Sequence, residues 1–358
     1  MHPLHRALAV PVCLAALSLA GAAPAFAGKG PILVSGKGTA RLELAGGTSV
    51  AVPLPEGAAL SSAAALGDGW IAAGVAPGST PESAEILLVT GAGRKSSALP
   101  PPPGRLAPVR QEPMPLVAGD RLEGLVWLEG ADRGSFSVRF AAWTGEGWGD
   151  AQTISQGGQG SQLALATARL GDGSWLLAWS AFDGTDDEIL WSRWDPAAGE
   201  AWSRPRRAAA DNAVPDITPA LTVTGDSALL AWSRFDGEGY STVISHFRAG
   251  KWSLPQGVGP AGTLYPSFEP ASAGGSWLLL RQADPRGWTV VELDGAGRPR
   301  REAGLVTTET SRPVVSAPAG PAKSLAFRWP ATGQERRADW KSAAPLRPAP
   351  EPQRESRP

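Results

Sequence analysis

Short runs of continuous apolar residues, or of apolar residues alternating with polar ones, recur along the whole chain, and Gly, Pro or Asp closes most of them. The clearest is Leu229-Leu230-Ala231-Trp232-Ser233-Arg234-Phe235, followed by Asp236-Gly237. A near copy stands upstream at Leu176-Leu177-Ala178-Trp179-Ser180-Ala181-Phe182, followed by Asp183-Gly184. Apolar runs this short predict strands buried on both faces, and Asp-Gly predicts a tight turn after each. The segment from Ser241 to Arg248 then alternates, with Val243 and Phe247 set apart from Ser245, which is the period of a half-buried strand. Ala249-Gly250 predicts a further turn, with Lys251-Trp252-Ser253-Leu254 as an outer strand behind it.

The unit repeats. Aligned on its apolar strand, it places Gly74, Trp127, Trp179, Trp232, Arg281 and Phe327 in one register. The spacing of about 50 residues, filled with strand-like segments, is that of a propeller blade of about four strands. Lys37 to Pro53 resembles the outer hairpin of such a unit and has no inner strand in front of it. Pro313 to Lys341 has the inner strands and a weak outer end. The predicted fold is therefore all-β: a six-bladed β-propeller of four-stranded antiparallel blades, with the N-terminal strands completing the last blade. Closure of that kind removes exposed sheet edges. Seven blades result if each end forms its own.

The termini read differently from the middle. Arg6, the apolar run Ala7 to Leu19 and the small residues ending Ala25-Phe26-Ala27 have the three-part layout of a signal peptide over residues 1–27. The apolar run is shorter than the roughly 20 residues that span a bilayer. Residues 28–342 are assigned to the propeller and 343–358, rich in Pro, Arg and Glu, to a disordered tail. The expected location is secreted or periplasmic, with no integral membrane segment after cleavage. Cys13, the only cysteine, leaves with the leader, so no disulfide or thiol chemistry is expected. High counts of Gly (44), Pro (34) and Trp (15) suit many short strands joined by tight turns. A net charge of -1 supplies no field for nucleic acid. Pro100 to Gly104 reads as an extended inter-blade loop.

The stretch Trp191-Ser192-Arg193-Trp194-Asp195-Pro196-Ala197-Ala198-Gly199-Glu200-Ala201-Trp202 resembles a degenerate Asp-box of the sialidase-like propellers, Ser-x-Asp-x-Gly-x-Thr-Trp, with stretched spacing and no Thr. Gly250-Lys251-Trp252 and Gly145-Glu146-Gly147-Trp148 keep fragments of it. The resemblance implies that Asp195 bonds to its turn and that Trp202 packs between blades. With Trp127, Trp179 and Trp232 these make up the structural repeat. It also implies, for sialidase activity, an arginine triad, a Tyr–Glu nucleophile pair and an acidic donor. Only Tyr240 and Tyr265 are available as tyrosines, and no Phe-Arg-Ile-Pro segment precedes the first box. No catalytic residue is assigned.

Candidate ligand-binding residues lie where the pattern sets an acid just ahead of an inner strand: Glu112 before Pro113, Asp216 before Pro219, and Glu269 before Pro270, with Tyr265 in the same segment and Arg312 in a looser version at Glu309 to Pro313. Carboxylates ringing a channel mouth suit a cation, a basic group or a sugar. The plainer alternative is that Pro fixes the strand entry and the acid is solvated. Asp183-Gly184-Thr185-Asp186-Asp187-Glu188 carries closely spaced oxygen ligands but not the twelve-residue calcium loop, and reads as a turn. His246, the sole histidine after the leader, leaves zinc and Ser-His-Asp chemistry without enough groups, and no metal or cofactor is called for. Gly158-Gln159-Gly160 lacks a following helix and reads as a loop. Trp143 and Trp148, outside the repeat register, are the best placed to meet a sugar. The expected function is an exported, non-catalytic binding or interaction module, monomeric, with an unknown protein or glycan partner. A sialidase-type glycan hydrolase using channel-mouth carboxylates and an envelope scaffold are the alternatives.

Overall fold

The structure, a computed structural model, describes residues 31–349 apart from 37–38, 45–47, 105–107, 132–133, 157–161, 200, 211, 225–226, 272–274 and 318–322. The leader lies outside the described residues, as does the loop Gly158-Gln159-Gly160. Every element described is a strand, and among the described residues no helix is long and apolar enough to cross a membrane.

Five four-stranded antiparallel blades form the propeller. A three-stranded sheet comes first, of β1 (Ile32–Gly36), β2 (Thr39–Glu43) and β3 (Ser49–Val52). Blade one is β4 (Ala59–Leu66), β5 (Gly69–Pro77), β6 (Ala84–Ala92) and β7 (Lys95–Leu99). Blade two is β8 (Val109–Ala118), β9 (Arg121–Gly130), β10 (Ser137–Ala142) and β11 (Gln152–Ser155). Blade three is β12 (Gln162–Arg169), β13 (Trp175–Phe182), β14 (Asp187–Trp194) and β15 (Arg206–Arg207). Blade four is β16 (Asp216–Thr224), β17 (Ser227–Phe235), β18 (Tyr240–Arg248) with the short β19 (Lys251–Trp252), and β20 (Gln256–Ala261). Blade five is β21 (Thr263–Pro270), β22 (Ser276–Gln282), β23 (Gly287–Leu293) and β24 (Pro299–Val306). A second three-stranded sheet follows, of β25 (Val314–Ser316), β26 (Ser324–Trp329) and β27 (Gln334–Asp339). Two-residue strands β28 (Lys341–Ser342) and β29 (Arg347–Pro348) end the described chain.

The expectation of six blades, or seven, is corrected to five. All six repeat anchors do fall on a second strand, but the ends do not merge into one blade. The N-terminal strands pair with one another, Ile32 opposite Glu43 and Ala40 opposite Val52. They bury Ala40, Leu42, Val50 and Val52 against β4 and β5 of blade one. The last sheet lacks an outer strand because the chain after Asp339 is diverted. β28 pairs with β24 through Lys341 and Ser342, and β29 pairs with β20 through Arg347 and Pro348. Ala343 and Leu346 pack on the core between blades four and five. The segment read as a free tail from residue 343 is thus laid along the ring as far as Ala349. The two end sheets meet through an ion pair of Arg328 on β26 with both carboxylate oxygens of Glu43 on β2.

The hydrophobic cores sit between blades, as double-sided burial of the second strands predicts. Trp179 lies in the cluster shared by blades two and three, and Trp232 in the cluster shared by blades three and four. Trp127 occupies the one between blades one and two, and all three indoles are fully buried. First strands pack on first strands around the ring, β4 on β8, β8 on β12, β12 on β16 and β16 on β21, which sets them about the central axis.

Candidate functional site

Each first strand from blade one to blade five carries a register shift near its start, between Leu60 and Ser62, Gln111 and Met114, Leu163 and Ala166, Ile217 and Ala220, and Leu264 and Ser267. At four of these bulges a residue with a side chain adopts the left-handed region: Glu112 (φ 47), Ala164 (φ 55), Thr218 (φ 55) and Tyr265 (φ 53). A bulge leaves ladder groups unpaired, and here the neighbouring blade takes them up. Ser62 Oγ donates to Pro113 O (2.6 Å), and Ser180 Oγ to Asp216 O (3.2 Å). Leu165 N donates to Glu112 Oε2 (2.9 Å), and Tyr265 N to Ser233 Oγ (3.0 Å). The strain at one level of the ring is thus held by bonds that cross from blade to blade.

Glu112 and Tyr265 therefore occupy equivalent positions, inside first strands rather than in loops ahead of them. Burial pushes the Glu112 carboxyl above its ordinary range, against the pull of the Leu165 and Ala164 N–H groups. Asp216 is not the counterpart of Glu112. It opens β16 opposite Arg234, and the counterpart pair in blade two is Arg110 opposite Glu129. Arg234 donates from Nε to Asp216 Oδ1 (2.8 Å) and from Nη2 to Oδ2 (2.6 Å). Arg110 donates from Nε to Glu129 Oε2 (2.9 Å) and from Nη1 to Glu85 Oε2 (2.9 Å). Both guanidinium groups lie near the strand tryptophan, Arg234 at 5.7 Å from the Trp232 ring and Arg110 at 6.0 Å from Trp127. In blade three, Gln162 Oε1 accepts from Trp179 Nε1 (2.6 Å) at this register instead. Glu269 lies near the far end of β21, where Arg312 pairs with it and donates also to Phe268 O. Among the described residues no hydrogen bond or ion pair joins Glu112, Asp216 and Glu269 to one another, whereas Glu269 and Arg312 form an ion pair.

The charge-rich centre lies between blades three and four, around a segment that reads as a turn. Asp183 Oδ1 accepts from the N–H groups of Thr185 and Asp186, and Arg207 Nη2 donates to its Oδ2 (2.6 Å). The Thr185 N–H, then the Asp186 N–H and Arg207, hold the Asp183 carboxyl below its usual range. Asp183, Asp186 and Glu188 each bring one carboxylate oxygen within 4.8 Å of the others. Glu188 is 1% exposed, and its Oε1 accepts from Asn212 N (3.2 Å). Asn212 Nδ2 bridges Glu188 Oε1 (3.5 Å) and Asp216 Oδ2 (3.3 Å). Burial first, then the Asp216 and Asp186 charges, push Glu188 up to about 8. Burial and the Asp183 charge also raise Asp187, and burial, Asp187 and Tyr265 raise Tyr240. Glu188 and Asn212 were not singled out from the sequence as site residues. The signal for Glu188 was the acidic turn itself, whereas nothing local marks Asn212.

The remaining sequence candidates are placed as follows. Asp195 Oδ1 accepts from Ala197 N (3.0 Å) and Ala198 N (3.4 Å), and Trp202 stacks on Trp194 and meets Phe140 of blade two edge-on. Asp294 makes the same kind of turn between β23 and β24, accepting from Ala296 and Arg298. Trp143 and Trp148 meet edge-on at 4.8 Å, and Trp148 Nε1 donates to Pro100 O, so each is held by packing.

No protein-family profile and no curated relative matches the chain. Among solved structures it is similar to a protein of unknown function from Dyadobacter fermentans DSM 18053, at 12% identity over 82% of this chain and 96% of that one, TM-score 0.49. It is similar also to the fucose-specific lectin from Aleuria aurantia, at 13% identity over 85% and 98%, TM-score 0.47. The arabinanase Arb43A of Bacillus subtilis aligns at 14% identity over 65% and 93%, TM-score 0.39. The class, an all-β propeller, follows from the strand topology itself.

Proposed function

We propose that this propeller is an exported, non-catalytic binding module. The supporting observation is the charge reversal between blades. Asp216 is replaced by an arginine at the equivalent place in blade two, Arg110, with its partner reversed to match. A buried ion pair that tolerates exchange of its two members serves to hold first and second strands together, not to act on a substrate. Glu112 is engaged by the next blade and Glu269 by Arg312. Glycoside hydrolysis needs two carboxyl groups about 5–9.5 Å apart across a cleft, and these acids are tied to separate partners. We read the Asp195 hairpin as a degenerate Asp-box, which ties the chain in style to sialidase-like propellers while leaving their chemistry behind. A glycan array with the exported chain, run beside release assays on sialosides and arabinan, tests the reading: binding without turnover is the expected result, and turnover on any of these substrates sinks it.

One observation favours a glycan-active hydrolase. Glu188, pushed up to about 8 beside Asp216, has the pairing of a proton-holding acid with a second carboxylate that glycosidases use. On that reading Glu188→Gln abolishes turnover while leaving binding intact.

A further inference from the structure

The turn of blade five that Asp294 organises docks on the outer hairpin of blade four. A Cβ placed on Gly297 would stand 2.5 Å from His246 Cε1 and 2.7 Å from Leu229 Cδ2, and the residue has φ +74. Only glycine lets the turn come this close without strain. Beside the contact lies a groove of about 460 Å³, lined by Arg248, Lys251, Trp252, Gln256 and Arg298 with His246 and Ser253.

The groove is cationic, with Asp294 acting on Arg298 at one side of it and no ion pair on Arg248 or Lys251 among the described residues. Arg248, Lys251 and Arg298 are exposed, and none has a salt-bridge partner among the described residues. Asp294 is largely engaged by its own turn: Oδ1 accepts from the Ala296 and Arg298 N–H groups, Oδ2 lies 3.9 Å from Arg300 Nε, and its charge is shared between Arg298 and Arg300. Three cations around one groove, in a chain of net charge -1, are a local concentration rather than a general excess. The volume is within the range of sites for small ligands, about 300–1,000 Å³. Of the uncharged lining the Gln256 amide is suited to hydroxyl groups, whereas the Ser253 hydroxyl is held within the hairpin by the His246 N–H and Leu254 O. Trp252 is braced by Phe247 at 4.9 Å and by Trp191 at 6.1 Å, so its ring is fixed before any ligand arrives.

We propose that this groove binds an anionic saccharide, a sugar bearing carboxylate or sulfate, with Arg248, Lys251 and Arg298 taking the charge and Trp252 and Gln256 the ring and its hydroxyls. This rests on the binding-module reading and gives it a site and a ligand class. Bidentate guanidinium recognition suits either anion.

Titration calorimetry of the full exported chain with digalacturonic acid and with a sulfated heparin disaccharide tests it, with the neutral disaccharide galactobiose and inorganic sulfate as controls. At least one acidic sugar is expected to bind 10-fold or more tightly than galactobiose and than sulfate. The triple variant Arg248→Gln, Lys251→Gln, Arg298→Gln, with all three side chains exposed, is expected to melt as the parent does and to lose at least 10-fold in affinity. Equal binding of galactobiose, or sulfate binding as tightly as the sugars, overturns the proposal. A triple variant that keeps its affinity for the acidic sugar also overturns it, while binding elsewhere on the ring leaves the module reading standing. If the parent chain binds no glycan on an array, both readings fall together. Should the triple variant melt early, Lys251→Gln alone, expected to weaken binding 3-fold or more, replaces it.

Discussion

Replacing Glu188 by Gln should change the pH dependence of stability more than its absolute value. Glu188 is 1% exposed and sits beside Asp216 and Asp186, with a carboxyl pushed up to about 8. In the unfolded chain the same carboxyl titrates near 4.3. Between these values the folded protein holds a proton that the unfolded chain has released, so stability is highest below the lower value and is lost as pH rises toward the upper one. The slope is about 1.4 kcal/mol per pH unit and levels off near the folded value. From about pH 6 to about pH 9 the loss comes to about 2–3 kcal/mol. Glutamine keeps an acceptor for the Asn212 N–H and cannot ionise. The raised Asp187 and the lowered His246 titrate in both proteins and cancel in the difference. Urea unfolding followed by tryptophan fluorescence, at about pH 6 and about pH 9, should show the variant gaining about 2 kcal/mol on the parent across the interval. A gap that stays constant over that range means that Glu188 is an ordinary surface-like carboxylate, and the account of this seam is wrong.

Asp216→Ala leaves Arg234 buried without its partner and should cost about 3–5 kcal/mol in denaturant unfolding; the exchange Asp216→Arg with Arg234→Glu should recover part of that, since blade two carries the pair in that order. Trp179→Ala removes a fully buried indole from between blades two and three and should cost about 3–5 kcal/mol by the same measurement. Gly297→Ala meets His246 and a left-handed backbone together, and a thermal melt should show a loss of about 1–3 kcal/mol. An unchanged melting point there would mean that the blade-five turn is not pressed on blade four.

What the sequence conveyed best was the second strand. Burial on both faces requires a nearly continuous apolar run, and Leu229 to Trp232 and Leu176 to Trp179 are such runs with Asp-Gly behind them, so strand, turn and repeat were all readable. The blade count was not, because it depends on which edge the ends join. Nothing in Lys341-Ser342 or Arg347-Pro348 says that they will hydrogen-bond to β24 and β20 instead of supplying the last sheet with an outer strand. The short strands are written in backbone bonds, which composition does not reveal, and the Pro and Arg that suggested disorder are compatible with an edge position. At the candidate site the acids were visible and their company was not. Glu112 reads as channel-facing until Leu165, far along the chain, donates to it.

The paired charges show how repetition separates structural residues from functional ones within a single chain. Five first strands carry the same bulge, and the register beside it must be filled in every blade. Blade two fills it with Arg110 and Glu129, blade four with Asp216 and Arg234, and blade three with Gln162 beneath the Trp179 indole. A position that accepts an anion, a cation or an amide in successive copies is constrained by burial and hydrogen bonding, and its identity in one blade carries no message about a ligand. The blade-four hairpin and the blade-five turn are different: the cations at 248, 251 and 298 have no buried partner to satisfy, and like charges drawn together at the surface repel one another. On the proposed reading, an anion bound from outside the ring relieves that repulsion. That difference directs the search for a ligand away from the axis and toward the outer groove between blades four and five.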